Sequence, residues 1–132
     1  GDYTWEETSE HLIIKIPWRC KSLKKASIFL TDVILRISHP PSYILDLNLL
    51  KKIDEVASRA IYKDHTLHIK LIKLVKGDTW GRLNFEGEKV KLTKRRDDSI
   101  RRREERLATY MDKLREKKKE EEKMSLRKQV RK

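Results

Sequence analysis

Four histidines, one cysteine and a spread of serines and aspartates are the residues of this 132-residue chain with the chemistry for acid–base, nucleophilic or metal work. His65 and His68 stand three apart around a turn and a strand pattern, where they point to opposite faces, and His11 and His39 lie well away in the chain. A zinc site takes three or four converging ligands, and this spacing supplies no such set. Cys20 is alone, which excludes an internal disulfide and any cysteine-based metal site, and fits a reducing compartment. A Ser, His and Asp set can be drawn from most chains of this size. Here no strained nucleophile turn, glycine-rich phosphate loop or paired-carboxylate motif frames one. The expectation is a protein with no catalytic residue, no metal and no cofactor, and therefore not an enzyme.

Charge offers the other chemistry. The net charge is +12, and residues 94–132 hold 17 Lys and Arg against 9 Asp and Glu, leaving +4 for residues 1–93. The basic clusters KRR (94–96), RRR (101–103) and KKK (117–119) can neutralise phosphates, and such binding weakens steeply with salt. Glu104, Glu105 and Glu120 to Glu122 interrupt them, however, and Tyr110 is the single aromatic platform for a base. A solvated helix with i to i+3 pairs such as Asp112 with Arg115, Glu116 with Lys119 and Glu120 with Lys123 is the preferred reading. Nucleic acid or another acidic polymer bound through residues 94–132 is the alternative.

Two kinds of element must position these residues. Up to about Phe85 apolar residues alternate in short runs, as half-buried strands require. Leu12, Ile14, Ile16 and Trp18 face one way and Ile13 and Lys15 the other. In VILRIS, Val33, Leu35 and Ile37 oppose Ile34, Arg36 and Ser38. In YILDLNLL, Tyr43, Leu45, Leu47 and Leu49 oppose Ile44, Asp46 and Asn48, and in TLHIKLIKL, Leu67, Ile69 and Leu71 face inward. KKIDEVASRA permits a helical turn around Ile53 to Ala57 as well as a strand, and strand is preferred. KDH (63–65) reads as a tight turn. Seven or eight short strands without interleaved helices predict an all-β antiparallel sandwich. Beyond Thr93 helix formers dominate and Ile100, Leu107 and Leu114 recur every seven residues. The pattern predicts a long charged helix from about residue 97, capped by Asp97, Asp98 or Ser99. The expected division is a sandwich over 1–88 and a basic helical arm over 89–132, the start of a linker in a longer protein. Arg103 and Lys117 at alternate core positions leave only weak self-association through the helix. No apolar run is long enough to cross a bilayer, and the stripe on the arm is too narrow for a membrane-surface helix, so no membrane partner is expected.

Three signatures occur in order within this pattern: YTW at Tyr3 to Trp5, the double proline Pro40 and Pro41, and WGRL at Trp80 to Leu83. With the layout SHPPSYILDLNLLKKIDEVASRAIYKD between them, residues 2 to about 85 resemble the CS domain family of co-chaperone-like modules, and within it the domains of axonemal dynein assembly factors. The resemblance implies a non-catalytic adaptor in cytoplasmic preassembly of dynein arms for motile cilia, with heat-shock chaperones and other assembly factors as partners. Tetratricopeptide repeats, which that family carries further along, do not occur in these 132 residues. Tyr3, Trp5, Pro40, Pro41, Trp80 and Leu83 are expected to be structural, the aromatics pinning the first strand and covering the open end of the sandwich. The candidate partner face is Ile13, Ile34, Ile44 and Ile72, the apolar residues on the faces opposite the core.

Overall fold

A computed structural model describes residues 3–18, 26–40 and 43–130, with side chains through residue 124. Pro41 and Cys20 fall outside the described residues. Seven strands run β1 (Thr4–Glu7), β2 (His11–Pro17), β3 (Ser27–Leu30), β4 (Ile34–His39), β5 (Tyr43–Asn48), β6 (Ile53–Lys63) and β7 (Thr66–Lys73), followed by one helix, α1 (Lys89–Val130). They form two antiparallel sheets, one ordered β1-β2-β7-β6 and the other β3-β4-β5. The expected antiparallel sandwich with a long C-terminal helix is the observed fold.

Alternation builds the core. Leu12, Ile14 and Ile16 of β2 and Leu67, Ile69 and Leu71 of β7 meet Leu35 and Ile37 of β4 and Leu45 and Leu47 of β5. All are buried in one cluster with Trp18, Leu49, Ile53, Trp80 and Leu83. Tyr3 and Trp5 pack on the same cluster from the inward face of β1, half-buried. Side chains on the two inner faces interdigitate, as in sandwiches generally.

Three local findings refine the sequence reading. The ambiguous segment is a strand with a turn inside it: a register shift lies between Asp54 and Arg59, and the Asp54 carboxylate caps the amides of Val56 and Ala57 at 3.1 and 3.2 Å. Ser58 repairs the interrupted ladder by donating to the Asp54 carbonyl and accepting from the Ile72 amide. The KDH turn is a two-residue hairpin with φ of 52° at Asp64 and 59° at His65, the signature of the turn whose twist suits paired strands. The WGRL stretch forms no eighth strand, only a bridge between Leu49 and Asn84. Trp80 and Leu83 enter the core three residues apart, off the strand period of two, and the chain turns at Gly81 with φ of 71°.

The helix begins eight residues before the expected start. Gly87 is the last breaker, and the Leu92 amide already donates to the Glu88 carbonyl. Asp97, Asp98 and Ser99 therefore lie in its third turn and not at its cap. The chain divides into two compact units, Gly1–Ser99 and Ile100–Lys132, so the first turns of α1 belong with the sandwich. Arg95 donates to Asn48 Oδ1 at 2.5 Å and to the Leu50 carbonyl at 3.3 Å, and lies 3.9 Å over the Phe85 ring. Arg96 pairs with Asp46 at 3.0 Å. Ser99, fully buried, accepts from the equally buried Thr31 at 2.8 Å. In the second unit Leu107, Tyr110, Met111 and Leu114 are exposed, and Asp112 and Arg115 approach to 3.9 Å.

Candidate functional site

The signature aromatics lead to a polar seam. β1 alternates, so Tyr3, Trp5 and Glu7 face inward in that order. Glu7 Oε2 accepts from Lys73 Nζ and from the Trp80 amide, both at 2.6 Å, and Oε1 accepts from the Gly81 amide at 3.1 Å. Lys73 has a side chain only 1% exposed and also donates to the Asp78 carbonyl at 2.5 Å. The Asp78 carboxylate in turn holds Lys51 at 2.7 Å. Burial pushes the Glu7 pKa up, but the Lys73 hydrogen bond, the two amides and the Lys73 charge outweigh it, and the carboxyl sits below the usual glutamate range. One carboxylate thereby fixes the first strand, the last strand and the WGRL loop to one another. The arrangement neutralises itself and presents nothing to a substrate; it holds Trp80 in place.

Sequence reasoning missed Glu7 and Lys73, although the signal was there. Lys73 continues the inward series 67, 69, 71, and Glu7 continues 3, 5. A charge at an inward strand position is the mark of a buried pair, and two inward charges of opposite sign on strands of one sheet mark each other.

The four isoleucines do not form one face. Ile13 and Ile72 lie on the outer side of the four-stranded sheet, where Ile13 opposes Lys70 and Ile72 opposes His11. Ile34 and Ile44 belong to the other sheet. Ile44 is 58% exposed, whereas Ile34 is 2% exposed. The reason is α1: Asn48, opposite Ile34 in register, is bonded by Arg95 and by the Leu92 carbonyl, so the helix covers that end of the sheet.

The outer side of β1-β2-β7-β6 carries no helix among the described residues. Its cations are Lys15, Arg59, Lys63 and Lys70, interspersed with Ile13, Ile61 and Ile72. Its acids are engaged: Glu6 lies 3.6 Å from Lys15, and Asp54 caps its own strand. Pro40 is exposed in the turn after β4. Among the histidines, His39 packs edge-on against Trp18 at 5.6 Å and His65 lies 3.5 Å from the Tyr62 hydroxyl. Among the described residues no group of three His, Cys, Asp or Glu is placed to hold a metal.

In this antiparallel sandwich the buried ionisable groups tie its own strands together. The family model of the CS domain matches residues 1–73, and the chain belongs to that family. Two curated relatives, both named Dynein axonemal assembly factor 4, from Pongo pygmaeus and Pan paniscus, are each 25% identical over 127 residues, 96% of this chain and 30% of theirs. The chain thus spans about a third of the length of the curated relatives it matches. In fold it is similar to a nuclear movement protein from E. cuniculi, with a TM-score of 0.56 and 17% identity, covering 64% of this chain and all of that one. It is likewise similar to the CS domain of the human KIAA1068 protein, with a TM-score of 0.53 and 20% identity, over 65% of this chain and 73% of that one.

Proposed function

We propose that this chain is a non-catalytic, co-chaperone-like adaptor acting in the cytoplasmic preassembly of axonemal dynein arms. Its sandwich receives heat-shock chaperones or other assembly factors. The observation that carries this reading is the match of 96% of the chain to proteins named as dynein assembly factors, reaching past the CS domain into the helix. The outer side of the four-stranded sheet supports it physically. Ile13 and Ile72, with Lys70 and Arg59 beside them and Lys15 paired to Glu6, offer apolar contact and net positive charge on a rigid sheet. Such a surface suits a partner patch with acidic residues around an aliphatic centre. The outer edge of β6 adds main-chain groups along Arg59 to Lys63 for strand addition.

The basic-arm reading is weakened at its first cluster. Arg95 and Arg96 are committed to Asn48, Leu50, Phe85 and Asp46, so the cluster at 94–96 is largely spent on the sandwich. Among the described residues no helix is long and apolar enough to cross a membrane. The test is affinity capture from ciliated-cell cytosol with the 132-residue chain, its Ile13→Asp and Lys70→Glu variants, and a Lys118→Glu control on the arm. Recovery of chaperones or assembly factors, lost in the first two variants and kept in the third, is the expected result. Recovery that depends only on the arm residue, or binding to generic RNA that survives about 0.2 M salt, overturns it.

A further inference from the structure

The outer side of the three-stranded sheet carries a concavity of about 390 Å³ lined by Ser27, Phe29, Arg36, Ser38 and Arg96. Register composes it. Ser27 opposes Ser38, and Phe29 opposes Arg36, which opposes Asp46. α1 adds Arg96, which takes the Asp46 carboxylate at 3.0 Å. The one acid in register with Arg36, Asp46, is therefore taken by Arg96 of the helix. Arg36 stands exposed between Phe29 and Asp46 with no ion pair among the described residues. Among the described residues no carboxylate lines the concavity. Its polar groups are two guanidiniums and two hydroxyls, and its apolar wall is a phenylalanine ring.

We propose that this concavity binds a phosphate monoester, as carried by a phosphorylated serine or threonine of a partner protein. Guanidinium presents its donors in a rigid fork that matches phosphate oxygens. A doubly charged tetrahedral group can accept from Arg36 and from both serine hydroxyls at once, since these come from adjacent strands on one side. A flat carboxylate accepts in fewer directions. Asp46 keeps Arg96 in place and lowers the local charge without entering the concavity. Phe29 gives the methylene or methyl of the esterified side chain an apolar wall. The site lies on the sheet opposite the proposed chaperone-binding surface, so either assignment can fail without the other.

The test is amide NMR of the isotope-labelled 132-residue chain titrated with terminally blocked phosphoserine, and in parallel with blocked glutamate. Shifts centred on residues 27–29 and 36–38 are expected, with phosphoserine binding more tightly than glutamate. Arg36→Gln is expected to weaken that binding about tenfold or more, the size of a lost charge-assisted hydrogen bond. Lys117→Gln removes the same charge from the arm and should leave it unchanged. Because Arg36 is exposed, its variant should keep the dispersed spectrum of the folded chain. Shifts spread along the arm, equal losses in the two variants, or glutamate binding as tightly as phosphoserine would each overturn the proposal.

Discussion

A lysine side chain 1% exposed survives inside a sandwich because Glu7 and the Asp78 carbonyl replace the water it has lost. The cost of breaking that arrangement falls on whichever charge is left behind. Glu7→Gln keeps the shape and removes the counter-charge, and should lower unfolding free energy by about 3 kcal/mol, read by urea denaturation. Lys73→Met leaves Glu7 with the two loop amides and some access to water, and should cost less. In a double-mutant cycle the pair should show a coupling of about 2 kcal/mol; additive losses would mean the two groups do not act on each other. Glu7 also sets a pH dependence. Its pKa is lower folded than unfolded, so its contribution is complete above the ordinary glutamate range and fades as pH falls through the folded value. Acid titration of stability should therefore be flatter in that window for Glu7→Gln than for the parent chain.

Among the elements, the β6–β7 hairpin and the first turns of α1 carry the most testable consequences. His65 sits at a φ of 59°, a region that costs a side chain with a Cβ about 1 kcal/mol or more, and its carbonyl holds the Trp18 amide at 2.8 Å. His65→Gly removes the steric cost and keeps that carbonyl, so the thermal midpoint should rise by a few degrees; a fall would show that the Tyr62 contact outweighs it. α1 extends to Lys89 because Arg95, Arg96 and Ser99 have partners on the three-stranded sheet. Arg95→Ala loses two hydrogen bonds and a ring contact together, and should destabilise by about 2 kcal/mol, measured by the same denaturation. The helical periodicity around Leu107 was visible in the sequence, but the docking of the turns before it was not. Its arginines donate to Asn48 and Asp46 and its Ser99 accepts from Thr31, residues some fifty to seventy positions upstream, which no local pattern connects.

At the scale of the whole chain, the two compact units make a prediction about its division. A fragment ending at Ser99 should unfold with the stability of the sandwich in the full chain. One ending at Glu88 should lose several kcal/mol, because Asn48, Asp46 and Thr31 forfeit their partners on α1. Equal stability of the two fragments, by thermal and urea unfolding, would place the first turns of α1 outside the folded unit. The shorter fragment corresponds to the division read from the sequence, which put the boundary after Glu88. That boundary marks where the strand pattern stops and cannot register where packing stops.

The order of strands, their inward residues and the helical nature of the end follow from the chain alone, because strand and helix periods of about two and 3.6 residues are local properties of the backbone. Even Lys73 and Glu7 were written into those periods, as charges on inward positions. Folding alone decided that Ile34 is covered while Ile44 is open, that Ile13 and Ile72 look out from a different sheet, and that Arg96 takes the carboxylate that stands in register with Arg36. Each of these depends on which strand lies beside which and on what a distant helix covers, and alternation tells a side chain's face without telling what, if anything, stands over it.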